Sequence, residues 1–349
     1  ISADGLDTVS TGQDTLVLLH VLFRHGNRTP EKGSQFPKDP HLNETFEPFG
    51  YGQLTTKGKK TEYEIGEYLR LTYGKFIPEQ YSPDVVYALS TNFKRTKMSL
   101  QLVLASLFPP LLTDLFSVNL NWQPVPFNIE PGAGLIGLPF IYCVNYLNQY
   151  YEYVESEEAQ EIIASYRELY QQLSLDTGLK VTSPKQVAGI YSTLESEESY
   201  GLKLPEWASK IFPKILGEAA SVYFEFTAGN SVLKKYIAGF LLKQILEDSL
   251  SRRNGTLKNT KVFLYSAHDF NVAAVLRTLN VFDRHVPPYG ATIFFEIHKV
   301  GEIYGLKLYY QDYTKLSPQL LTIPGCSSFC ELDRFHQLVE EYLPGANDH

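Results

Sequence analysis

The apolar positions of this chain follow two patterns, and the patterns divide it. Leu16 to Phe23 is a continuous apolar run interrupted only by His20. It has strand length, and a run without alternation predicts a strand covered on both faces. Leu54 to Tyr73 spaces its apolar residues helically, with Ile65, Tyr68 and Leu69 on one face. Asp84 to Ser90 predicts a second strand. It leads through Ser90-Thr91-Asn92 into a helix from about Arg95 to Leu107, stopped by Pro109-Pro110. Downstream, Lys261 to Ser266 predicts a third apolar strand, with a helix from Asn271 to Leu279 after it. Thr292 to His298 and Ile303 to Tyr310 predict a hairpin around Gly301. Between about 130 and 240 the texture is helical and rich in Tyr and Glu, as in Glu155 to Leu173 and Leu233 to Leu250. These elements predict an α/β fold: a central, mostly parallel sheet flanked by helices on both faces, with an inserted helical cap. The core takes residues 1–130 and 241–349, and the cap residues 131–240.

Composition narrows the function classes. Of 349 residues, 44% are hydrophobic and 20% charged, which suits a folded domain. No apolar run reaches the ~18 residues needed to span a bilayer, so no membrane insertion is expected. The N-terminus lacks a basic patch followed by an apolar core, so any signal peptide is expected to have been removed. A formal net charge of −8 argues against a nucleic-acid partner. It leaves room for a small anion, because a few local arginines outweigh distant charge. The three cysteines are Cys143, Cys326 and Cys330. Cys326 and Cys330 flank Ser-Ser-Phe after the turn-forming Pro324-Gly325, as in a small disulfide loop or half of a metal site. No second cysteine pair completes a zinc set, which favours the disulfide and leaves Cys143 unpaired. Sequons at Asn27, Asn43 and Asn254 support a secretory route. Sugar is expected at Asn43 and Asn254 and not at Asn27, which lies among the polar residues described next.

Candidate chemistry gathers where the apolar strands end. The first strand ends in Arg24-His25-Gly26-Asn27-Arg28-Thr29-Pro30, the second leads into Arg95, and the third ends in Ala267-His268-Asp269. Ligands of open α/β sheets bind at the carboxyl ends of the strands, so three arginines, two histidines and an aspartate meet at one edge. Helix N-termini there add N–H donors and a positive dipole end. Arginine forks suit phosphate oxygens. A histidine held among arginines stays partly unprotonated and can attack phosphorus. A neighbouring carboxylic acid can protonate the leaving oxygen and later activate water. Asp269 also reads as an N-cap of the following helix. Lone histidines at 20, 41, 285, 298 and 336 read as structural. The acidic run Glu155 to Glu161 reads as a solvated helix face, and Gly132, Gly134 and Gly137 as loop glycines.

Arg24-His25-Gly26-x-Arg28-x-Pro30 resembles the signature of the histidine acid phosphatases, the branch of the histidine phosphatase superfamily that includes phytases. Ser266-Ala267-His268-Asp269 resembles the family's second motif. Leu89-Ser90-Thr91 through Arg95-Thr96 to Met98-Ser99, then Leu107-Phe108-Pro109-Pro110, resembles its third block. Tyr200-Gly201, Leu204-Pro205-x-Trp207, Pro287-Pro288-Tyr289 and Pro324-Gly325-Cys326 with Cys330 follow in the family's order. The chain is most similar to the short animal enzymes of the venom, salivary, lysosomal and prostatic kind. The resemblance implies hydrolysis of phosphate monoesters through a phosphohistidine on His25. It implies phosphate binding by Arg24, Arg28 and Arg95, support of the phosphoryl group by His268, and proton donation by Asp269. It further implies no cofactor and no metal, often a homodimer, and a secreted protein, with the lysosomal lumen as the alternative. Asn27, Asn92 and Lys94 stand where many relatives have acids, and Thr292 where some have a disulfide cysteine. Cys143 resembles a cysteine whose family partner lies near the C-terminus. A second function class fits the same fold: a secreted binder of a small molecule with weak or lost catalysis. The 24 tyrosines and 21 phenylalanines would suit its pocket. A binder, however, has no need of both His25 and Asp269. The short chain and sparse cysteines resemble phytases less well.

Overall fold

The computed structural model describes residues 15–132, 134–257 and 259–345. The chain runs through β1 (Leu16–Arg24), α1 (Thr56–Tyr73), β2 (Val86–Ser90), α2 (Lys94–Leu107) and β3 (Asn128–Ile129). A helical stretch follows: α3 (Pro139–Tyr142), α4 (Val144–Val154), α5 (Glu157–Ser165), α6 (Arg167–Thr177), α7 (Pro184–Tyr200), α8 (Lys214–Phe226), α9 (Ser231–Lys234) and α10 (Phe240–Arg253). The chain then returns to the sheet with β4 (Val262–Ala267), α11 (Asp269–Thr278), β5 (Thr292–Val300) and β6 (Ile303–Gln311). It finishes with β7 (Gln319–Leu321), β8 (Cys330–Glu331) and α12 (Leu332–Val339).

The sheet order is β3-β2-β4-β1-β5-β6-β7, with β8 also pairing β6. β3, β2, β4 and β1 are mutually parallel, whereas β1–β5 and the β5–β6 hairpin are antiparallel. The sheet is therefore mixed, with parallel strands at its centre. The hairpin turns at Gly301, where φ is +61°, a conformation suited to a residue without Cβ.

Alternate residues of β1 serve two cores. Leu19, Val21 and Phe23 pack with Ile65 and Leu69 of α1 and Leu100 and Val103 of α2. Leu18 and Leu22 face Leu241 and Ile245 of α10, Val272 and Val275 of α11, and Phe335 of α12. Burial on both faces explains why β1 reads as an unbroken apolar run. A third cluster holds α6, α7 and α8 together through Leu173, Val187, Ile190, Leu194 and Leu216.

Both stretches read as helical are helical, each with an interruption. Glu155 to Leu173 is not one helix: Ser156 caps α5 by accepting from the Ala159 N–H, and the chain breaks again at Tyr166 before α6. The run Leu233 to Leu250 carries a π-helical segment, Lys235–Gly239, between α9 and α10. There Tyr342 O would lie 2.0 Å from any Cβ at Gly239, so neighbouring backbone occupies the space beside the segment. Cys326 and Cys330 are disulfide-bonded and Cys143 is free. No helix among the described residues is long and apolar enough to cross a membrane.

Candidate active site

The ends of three parallel strands lie almost level. Ser90 of β2 and Phe23 of β1 both stand opposite Ser266 of β4, and Arg24 stands opposite Ala267. This register brings Arg24, His25, His268 and Asp269 to one edge, and α2 adds Arg95 at its second residue. His268 is the N-cap of α11, not Asp269, which is the first helical residue. The His268 backbone N–H donates to Asn271 Oδ1 at 3.2 Å, and the Asn271 amide donates to the carbonyls of Ile136 and Gly137.

The loop after β1 lies against α1 with no space between the backbones. A Cβ on Gly26 would come within 2.4 Å of Gly58 O, and one on Gly58 within 2.0 Å of Asn27 O. Both positions therefore require glycine because the backbones approach closely. Thr55, which caps α1 by accepting from the Gly58 N–H, also donates its own N–H to Asn27 O at 3.0 Å. Gly26 N–H donates to Ser99 Oγ of α2 at 3.2 Å.

His25 is 2% exposed. Its Nδ1 lies 2.9 Å from Gly26 O. A carbonyl only accepts, so Nδ1 carries the proton and Nε2 keeps its lone pair. Burial first, then the charges of Arg95 and Arg24, His268 and Arg28, hold the His25 pKa well below its ordinary value. His268 lies edge-on to His25, with ring centroids 5.5 Å apart. Its Nε2 is 2.9 Å from Thr91 Oγ1. The Thr91 hydroxyl donates to Thr96 Oγ1, which donates to Thr91 O. That chain leaves Thr91 to accept from His268 Nε2–H. Burial and the same three arginines also lower the His268 pKa.

Arg24 is 1% exposed and has several partners. Nη1 donates to Pro287 O at 2.6 Å, and Nη2 lies 3.1 Å from both Glu195 Oε2 and Asp269 Oδ2. Its guanidinium sits 4.0 Å over the Tyr289 ring. Burial works against its charge, but Glu195 and Asp269 outweigh burial and raise its pKa. Arg28 donates to Ser196 Oγ at 3.1 Å and to Ser192 Oγ at 2.9 Å, both on α7. Asn27 reaches the same helix through Ser199 Oγ at 2.9 Å. Arg95 pairs with Glu31 Oε1 at 2.9 Å and stands over the Phe93 ring. Burial and Arg28 bring its pKa down to about 10, with Glu31 and Asp269 opposing them.

All six expected polar residues are thus at one place. Glu31, Glu195, Ser192, Ser196, Ser199 and Glu62 were not anticipated. Glu62 is wholly buried on α1, and burial raises its carboxyl pKa despite Ser99 and Arg24. Glu195 and the serines come from a helix about 170 residues away, with no local signal to tie them to this loop. The sequon asparagine Asn27 is 7% exposed, whereas Asn43 and Asn254 are exposed.

A family model described as histidine phosphatase superfamily (branch 2) matches residues 15–311. The venom acid phosphatase Acph-1 of Apis mellifera is 37% identical over 336 residues, covering 95% of this chain and 86% of that protein. Rattus norvegicus lysosomal acid phosphatase is 33% identical, covering 95% of this chain and 78% of its own. Homo sapiens prostatic acid phosphatase is also 33% identical, with 94% and 86% covered. Among solved structures, the Klebsiella sp ASR1 phytase superposes with a TM-score of 0.69 at 16% identity, covering 96% of this chain and 99% of the other, a likeness of fold.

Proposed function

This chain belongs to the histidine phosphatase superfamily, branch 2, and is a phosphatase; we propose that it works through a phosphohistidine formed on His25. The observation carrying this is the His25 tautomer, with Nδ1–H committed to Gly26 O and Nε2 left as the nucleophile among three arginines. In the first step the Nε2–P bond forms and the ester P–O bond breaks. Asp269 gives its proton to the departing oxygen, and the alcohol leaves. In the second, Asp269 takes a proton from water, the water oxygen bonds to phosphorus and the P–Nε2 bond breaks, restoring neutral His25. Arg24, Arg28 and Arg95 neutralise the phosphoryl oxygens, with N–H groups at the start of α11 beside them. His268, edge-on to His25 with its Nε2–H held by Thr91, supports the phosphoryl group in the transition state from beside the nucleophile. The arginines do here what a metal does elsewhere, so chelators are expected to leave the rate unchanged.

Residues 131–240 act as the cap that selects the alcohol. Support comes from α7, whose Ser192, Glu195, Ser196 and Ser199 all reach loop residues of the core. The protein is secreted or lysosomal, in keeping with its relatives' names and with exposed Asn43 and Asn254 as sugar acceptors. Pure ligand sequestration would leave the His25 tautomer without a purpose. The test is a screen of phosphate monoesters near pH 5 with wild-type protein and His25→Ala, alongside calorimetry with unphosphorylated metabolites. Turnover lost in the variant supports the reading. Equal turnover in both proteins, or metabolite binding without any turnover, refutes it.

A further inference from the structure

The phosphate-binding arginines are not bare. Arg24 Nη2 is shared by Asp269 and Glu195, and Arg95 Nη1 is bound to Glu31. The mechanism above uses Asp269 and gives no task to the other two acids. Glu31 is the most accessible of the group, its side chain 45% exposed, and Glu195 and Asp269 are each 16% exposed, against 1% for Arg24. With neutral histidines, the charges of Arg24, Arg28 and Arg95 are opposed by Glu31 and Glu195 and, until it takes up the proton it donates, by Asp269. A phosphate dianion that engages Arg24 and Arg95 therefore turns Glu31 and Glu195 into uncompensated anions beside the esterified alcohol. The charges acting on Arg95 include those of Arg28, Glu31 and Asp269. Phe93 adds an aromatic ring next to Arg95 and edge-on to His268, 5.0 Å between centroids. Carboxylates beside an aromatic ring form a surface that favours an alkylammonium group.

We propose that Glu31 and Glu195 determine specificity, selecting phosphate monoesters whose alcohol carries an ammonium group and rejecting those with a second anion. The inference rests on the phosphatase reading and adds the substrate class to it. Once the phosphate has displaced the carboxylates from the arginines, they lie where a substituent of the alcohol would lie. An ammonium restores their pairing, a neutral group leaves them to water, and a further carboxylate or phosphate meets like charge at short range.

The test compares three esters of two-carbon alcohols near pH 5: O-phosphoethanolamine, ethyl phosphate and phosphoglycolate. Each is measured as kcat/KM with wild-type protein, Glu31→Gln, Glu195→Gln and the double variant. The expected wild-type order is ammonium, then neutral, then anionic. Each single substitution should shrink the ratio of the outer two by roughly tenfold, and the double variant should nearly abolish it. A variant that folds poorly or misplaces Arg24 changes all three rates together and leaves the ratio intact. A wild-type ratio near one, or the same ratio in all four proteins, overturns the inference and leaves the phosphatase reading standing. Failure of wild-type protein to hydrolyse any of the three esters defeats both.

Discussion

Asp269 Oδ2 and Glu195 Oε2 lie at equal distance from one nitrogen of Arg24, yet only Asp269 opens a helix whose N-cap is His268. That placement makes the two carboxylates chemically unequal, and leaving-group dependence can reveal the difference. General acid catalysis typically contributes about 10²–10⁴-fold. Asp269→Asn is expected to lose a factor of that order on alkyl phosphates. On nitrophenyl phosphate, whose phenolate needs little protonation, phosphorylation should slow far less. Pre-steady-state phosphorylation with both esters is the check; equal losses would assign Asp269 an electrostatic role. Arg95 leads a different prediction. Its charge is the largest after burial in keeping the His25 pKa down. A nucleophile with a lowered pKa stays unprotonated as pH falls below 6.5 and is lost only when pH passes its folded value. The pH profile of kcat/KM reads this in the free enzyme. Arg95→Ala should move the acid limb to higher pH and weaken all monoesters by a similar factor; an unmoved limb would show that burial alone sets it. The meeting of these residues at one edge was legible because strand ends carried dense polar motifs. Glu31 was not, although it directly follows Pro30: nothing local marks a surface glutamate as the partner of an arginine 64 positions on.

The elements convert this chemistry into geometry through contact between backbones. α1 approaches the His25 loop so closely that a methyl group on Gly58 would displace the loop. Misplacement by about 1 Å can cost on the order of 10²-fold. Gly58→Ala is thus expected to reduce kcat by about that factor while the circular dichroism spectrum keeps its helical signal. Wild-type kcat in that variant would remove α1 from the account. β1 contributes a second prediction through His20. It is fully buried, stacks on Phe263 at 4.4 Å, and burial alone lowers its pKa to about 3. Between pH 6.5 and 3 the unfolded chain takes up a proton there that the folded chain refuses. Stability therefore falls as pH drops, by up to about 1.4 kcal/mol per pH unit from this residue. His20→Phe should flatten the dependence, measured by denaturant unfolding at pH 6.5 and 4.5; an unchanged slope would contradict it. The strands of the core were readable because doubly covered strands form apolar runs. The breaks between α4, α5 and α6 were harder to read. They rest on a Ser156 cap and a turn at Tyr166 inside a stretch whose helical periodicity continues across them. The two-residue strands β3 and β8 are too short to carry any period.

At the scale of the whole molecule, a −8 chain holds an arginine-lined site because Arg24, Arg28 and Arg95 meet at one sheet edge. That edge was predictable from three motifs and the rule for open sheets. The wall opposite it was not. Tertiary packing of α7 against the His25 loop, through Ser192, Ser196 and Ser199, has no counterpart in local sequence. The central claim is that the phosphoryl group passes through His25. Its most direct measurement mixes the enzyme with a phosphorus-labelled monoester and quenches in alkali within milliseconds, since phosphohistidine survives base. The label is then located by peptide mass spectrometry. The expected result is up to one phosphoryl group per chain on the peptide containing His25, formed in a burst, decaying with turnover and missing from His25→Ala. Label on any other residue, or steady turnover with no labelled protein at any time, would contradict it.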